Sequence, residues 1–124
     1  MSMTASIHHQ DPGAKAEFLR QFRDYQLERT ILLDNGKSAL IRLIPIAEND
    51  TGQSEVVRRF LLSLYNGSRF PFDLTRFRSL DKTLFADCIA VLSMDARACV
   101  QEIHEYIDDG GALFEHWAKM EGGS

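Results

Sequence analysis

Apolar residues recur at helical spacing along most of this chain. Between residues 14 and 29 they fall at Phe18, Leu19, Phe22, Tyr25 and Leu27. Steps of three and four draw one stripe along a helix, and Asp11-Pro12-Gly13 opens it with proline near the first turn. Thr30-Ile31-Leu32-Leu33 is a β-prone run, and Asp34-Asn35-Gly36 reads as its break. Residues 38–49 admit two readings. As a helix, Ser38 caps it and Leu40, Ile41, Leu43, Ile44 and Ala47 fill one side; as strands, 31–33 and 40–46 form a hairpin. Pro45 removes a donor from either ladder, and the lack of clean alternation favours the helix.

Further along, 50–54 is a turn that caps the next helix. Residues 55–65 then face Val56, Val57, Phe60, Leu61 and Leu64 inward, and Asn66-Gly67 ends the run in the left-handed manner. Pro71 forces Phe70 to be extended, and Asp73 or Thr75 caps a short turn through Arg78. Asp81 caps a helix with Leu84, Phe85, Cys88, Ile89 and Leu92 inward. Asp95 caps another with Val100, Ile103, Tyr106 and Ile107, stopped by Gly110-Gly111. Residues 112–120 form a last helix on Leu113, Phe114 and Trp117. The expected fold is all-α, a compact irregular bundle of about five to six short helices. The alternative is α+β with a hairpin at 30–46. The expected organisation is a disordered N-terminus at 1–12, one helical domain at 13–120 and a loose tail at 121–124.

Composition narrows the class. The chain has 124 residues, enough for one domain, and 44% are apolar, with eight Phe, three Tyr and one Trp. A net charge of -4 gives no global attraction to nucleic acid or anionic membrane. No run approaches a membrane span, and residues 1–11 lack a secretory pattern. Cys88 and Cys99 would lie about 16 Å apart on one helix, too far for a disulfide. They read as two buried thiols in a reducing cytoplasm.

Candidate chemistry is sparse. Gly36-Lys37-Ser38 resembles the end of a phosphate-binding loop, but residue 31 is Ile where that loop needs an earlier Gly, so a helix start with Ser38 as cap is the plainer reading. His104 and Asp108 share a face if one helix carries both, and with His116 they form the one candidate metal or catalytic centre. No known ligand spacing, nucleophile elbow or dinucleotide fingerprint supports it, and no cofactor is expected.

Charge placement is more informative. Residues 58–82 hold Arg58, Arg59, Arg69, Arg76, Arg78 and Lys82 against Asp73 and Asp81, whereas 95–121 carries a balance of -5. The basic stretch also bears Phe70, Phe72 and Phe77. Guanidinium groups beside aromatic rings are what partner surfaces use, so the candidate binding patch is Arg58, Arg59, Arg69, Phe70, Phe72, Arg76 and Arg78.

The segments Asp50-Thr51-Gly52-Gln53-Ser54, Phe60-Leu61-Leu62-Ser63-Leu64-Tyr65-Asn66 and Phe72-Asp73-Leu74-Thr75 carry a resemblance. So do Leu80-Asp81, Asp87-Cys88-Ile89-Ala90-Val91-Leu92 and His104-Glu105-Tyr106. Over roughly 38–118 the chain resembles an uncharacterised bacterial family commonly carried on plasmids and integrative conjugative elements. The resemblance implies a context, an accessory protein of a mobile element, and no activity or site residues. Three functions follow as expectations. The first is a non-catalytic accessory or regulatory protein acting by protein contact, with itself or a host or element protein, through 58–82. The second is nucleic-acid binding by the same stretch. The third is a metalloprotein or enzyme centred on His104, Asp108 and His116.

Overall fold

A computed structural model describes residues 12–122, which divide into two units, one up to Ile31 and one from Leu32 onward. The expected disorder at 1–12 lies outside the described residues except for Pro12. The described part of the first unit is helix throughout. It belongs to α1, Pro12–Ala47, which opens on proline as the sequence predicts. Along it Phe18, Leu19, Phe22, Tyr25, Leu27 and Ile31 are all exposed.

The second unit contains the rest of α1, α2 (Gly52–Tyr65), α3 (Lys82–Ser93) and α4 (Gly110–Met120). Short 3-10 segments lie at Leu74–Ser79 and Ile103–Tyr106, and a π segment at Met94–Ala98. No strand occurs among the described residues, so the fold is all-α and the hairpin alternative at 30–46 is overturned. The break expected at Asp34-Asn35-Gly36 is absent too. Helix α1 runs straight through it, with Gly36, Ala39, Leu40, Leu43 and Ala47 buried. Gly36 is there for close approach: a Cβ on it would lie 2.3 Å from Met94 Cβ. Burial of the face around it outweighs the roughly 1 kcal/mol by which glycine disfavours a helix. Ser38 is therefore mid-helix rather than a cap. Pro45 is tolerated within the last turn of the helix, where the Ile41 carbonyl it leaves unpaired belongs to an exposed residue.

Local signals placed the next elements well. Thr51 caps α2 by accepting from Ser54 N, Asp73 caps the first 3-10 segment by accepting from Thr75 N, and Asp81 caps α3 by accepting from Leu84 N. The end of α2 differs from expectation. Asn66 is extended, at φ -157, and its side chain accepts from Arg69 N instead of the backbone turning left-handed. The helix expected from Asp95 is also absent. There α3 widens into the π segment, which keeps Met94 and Ala98 buried and ends at Cys99 in the left-handed region, φ 51. Asp108 consequently lies beyond the short 3-10 segment that carries His104. Gly110 starts α4 rather than stopping a helix, because a Cβ there would meet the His104 carbonyl oxygen at 1.9 Å.

The core joins Leu40, Leu43, Val57, Leu61, Leu62, Val91, Met94, Ile103, Phe114 and Trp117. Trp117 is fully buried and satisfies its indole by donating to Glu48 Oε2 at 3.1 Å. On α3 the buried positions are Asp87, Cys88 and Val91, so the helix is rotated from the expected stripe and leaves Phe85 and Ile89 exposed. Asp87 is tolerated inside because Arg42 donates to both its carboxylate oxygens, at 2.9 and 3.2 Å. Cys88 is buried, whereas Cys99 is exposed, so only one of the two thiols is enclosed as expected.

Candidate functional site

The basic stretch 58–82 occupies α2, the loop after it, the 3-10 segment and the start of α3. Most of its cations face carboxylates from elsewhere in the chain. Arg58, 7% exposed, donates to Glu121 Oε2 at 2.6 Å and to the Ala47 and Asn49 carbonyls at 2.8 and 3.2 Å. Arg59 takes the other Glu121 oxygen at 2.8 Å. Arg69 grips Glu115 with two bonds of 2.7 and 3.2 Å, and Tyr65 donates its hydroxyl to the same carboxylate. Arg76 donates to Glu55 at 3.1 Å. The acidic C-terminal stretch thus supplies two of the carboxylates that hold the basic one. Glu121, expected in a loose tail, is almost enclosed, its side chain 5% exposed.

These pairs fix protonation. Hydrogen bonds from Arg69, then Tyr65, lower the Glu115 carboxyl to about 2. Burial pushes Glu121 up, but bonds from Arg59 and Arg58 outweigh it, leaving the group below the usual carboxylate range. The Tyr65 hydroxyl is raised, chiefly by its bond to Glu115. Neither Tyr65 nor Glu115 is thereby poised to trade protons near neutral pH. Burial, then Asp87, pushes the Cys88 thiol up to about 12, which makes it a poor nucleophile.

The aromatics of the stretch form a chain of ring contacts. Phe60, buried on α2, meets Phe72 and Phe77 with centroids at 5.7 and 5.2 Å; Phe77 in turn meets Phe85 at 5.5 Å. Phe70 stands apart, stacked under the Arg69 guanidinium at 4.9 Å. Phe70 and Phe72 are half-buried. A largely apolar opening lies where the aromatic chain reaches the surface. It is a shallow depression of about 490 Å³ lined by Phe77, Arg78, Leu80, Lys82 and Phe85. Leu74, 69% exposed, shares the Phe77 face by its three-residue spacing in the 3-10 segment, and Ile89 follows Phe85 by one turn of α3. Arg78 and Lys82 enter no ion pair among the described residues.

Of the seven candidate patch residues, Arg78 alone lines this depression. Arg59, Arg69 and Phe70 border a separate hollow of about 200 Å³ with Pro71, Arg76 borders a third opening with Glu55, and Arg58 is buried. Leu74, Leu80, Lys82, Phe85 and Ile89, which line or flank the depression, are not among the seven. The spacing Lys82, Phe85, Ile89 was the available signal, but it reads equally as a core stripe. The metal version of the His104, Asp108 and His116 centre does not assemble: no group of three His, Cys, Asp or Glu among the described residues is placed to share a metal ion. His104 instead packs edge-on against Tyr65, with ring centroids at 5.2 Å.

Residues 37–122 match a family of unknown function, DUF7673. The chain belongs to that family. The match takes in all of α2, α3 and α4, and with them both the ion-pair framework and the apolar depression. It leaves out α1 up to Gly36. No curated protein and no solved structure matches the chain. No described helix of this DUF7673 member is long and apolar enough to cross a membrane.

Proposed function

We propose that this DUF7673 protein is a non-catalytic accessory or regulatory protein of a bacterial mobile element, working in the cytoplasm by protein–protein contact. The contact surface lies at the C-terminal end of the 58–82 stretch and continues onto α3. One observation carries the reading: the depression of Phe77, Leu80 and Phe85 is open, flanked by exposed Leu74 and Ile89, and rimmed by Arg78 and Lys82, which enter no ion pair among the described residues. An apolar centre with a cationic rim suits an amphipathic partner segment that brings an apolar anchor and acidic flanks. Arg58, Arg59, Arg69 and Arg76 serve the scaffold through Glu55, Glu115 and Glu121. The bacterial and mobile-element context rests on the sequence resemblance alone.

In-cell crosslinking with wild type, Phe85→Asp and Arg78→Glu/Lys82→Glu tests this. The expected result is one partner captured by wild type, lost from both variants, and regained by the charge-reversed variant when the partner's acidic flank is reversed to lysine. Identical capture by all three proteins would sink the surface. A complex with DNA or RNA that weakens steeply as salt rises would replace this reading by nucleic-acid binding.

A further inference from the structure

We propose that the exposed stripe on the first part of α1 pairs two copies of this chain into a dimer through a helical seam. The stripe follows a seven-residue repeat. Phe18, Phe22, Tyr25, Arg29, Leu32, Gly36, Ala39 and Leu43 alternate steps of four and three. Within the exposed part the apolar members are Phe18, Phe22 and Tyr25, and their steps of four and three put them on one side of the helix, where a second helix can lie against them. The last three of these positions are buried in the core of the second unit. The first three are large aromatics left 64%, 53% and 54% exposed. Leu19, beside Phe18, is exposed as well. In water a helix draws most of its stability from a packed apolar face, and this face has no cover among the described residues.

Area and charge favour a second copy as the occupant. Each of the four exposed side chains offers roughly 100 Å² to a partner, so a symmetric pair buries about 800 Å² from these residues alone. The aliphatic stems of Lys15, Gln26 and Arg29 on the same side bring the total near the ~1,000 Å² expected of a specific interface. The described residues of this segment carry Lys15, Arg20, Arg23 and Arg29 against Glu17, Asp24 and Glu28. It is thus close to neutral, and a copy is not repelled. A self-complementary face also closes under two-fold symmetry.

Sedimentation equilibrium of the full chain from about 1 μM to about 200 μM tests the dimer. Wild type is expected to be dimeric in the upper part of this range. Phe22→Glu should weaken association by at least about tenfold. The milder Phe18→Gln/Phe22→Gln, which preserves helix propensity, should weaken it too while leaving the Trp117 fluorescence of the second unit unchanged. Ile41→Glu, at an exposed position outside the repeat, should associate like wild type. A wild-type monomer at the highest concentration, or undiminished association of the glutamine pair, overturns the proposal. The stripe shares no residue with the proposed partner surface, so either idea can fail alone.

Discussion

Replacing Gly36 by alanine sets two effects of opposite sign against each other. In a helix interior the change should stabilise by about 1 kcal/mol, because alanine is the better helix former. Here the new Cβ would sit 2.3 Å from Met94 Cβ, 2.6 Å from Met94 Sδ and 2.9 Å from Met94 Cγ. The closest atom is a Cβ, which no rotamer change of Met94 can withdraw, so α1 or the π segment must shift bodily. Overpacking of a tight core costs about 1–3 kcal/mol, and this geometry belongs at the upper end. The net expectation is a loss of about 2 kcal/mol, which lowers the midpoint by several degrees in a domain of this size. Urea unfolding followed by circular dichroism and by Trp117 fluorescence measures it. Met94→Ala keeps the Cβ, so Gly36→Ala should remain unfavourable in that background. An alanine variant more stable than wild type would refute the reasoning, since propensity would then have decided the outcome.

The same apparatus checks the ion pairs. Glu121→Gln leaves buried Arg58 facing only carbonyls, and unfolding free energy should fall by about 3 kcal/mol; a variant indistinguishable from wild type would mean that water enters to solvate the guanidinium. Glu115 titrates at about 2 in the folded chain, below its ordinary value of 4.5. Its contribution is therefore complete above about pH 4.5 and lost as pH falls through the folded value. The stability gap between wild type and Glu115→Gln should narrow between those limits, and a gap independent of pH would show that Arg69 is not what holds the carboxylate ionised.

What could be read from the sequence was mostly local. Asp81, Asp73 and Thr51 cap their helices because the acceptor and the amide it serves lie two or three residues apart. Gly36 is opaque to the sequence for the opposite reason. Its meaning resides in Met94, and nothing nearby in sequence separates a glycine that breaks a helix from one that lets another backbone come close. Gly110 conceals the His104 carbonyl in the same way. The candidate patch shows the limit most plainly. The stretch 58–82 is basic by count, yet Arg58 and Arg69 meet glutamates 63 and 46 residues away. A charge run shows which cations exist but not which are already neutralised. Phe85 and Ile89 read as inward in the sequence yet are exposed, because an exposed stripe and a buried one have the same period.

The Arg58–Glu121 pair also imposes an order on synthesis. A chain made from its N-terminus completes α1, α2 and α3 before residue 121 exists. Until then Arg58 has carbonyl partners at Ala47 and Asn49 but no carboxylate. An uncompensated guanidinium resists burial, so the middle of α2 around Arg58 stays hydrated while α3 and α4 are being made. The core therefore closes late, only once the C-terminal residues that include Glu121 can reach α2, and a chain still lacking them is helical but not yet sealed.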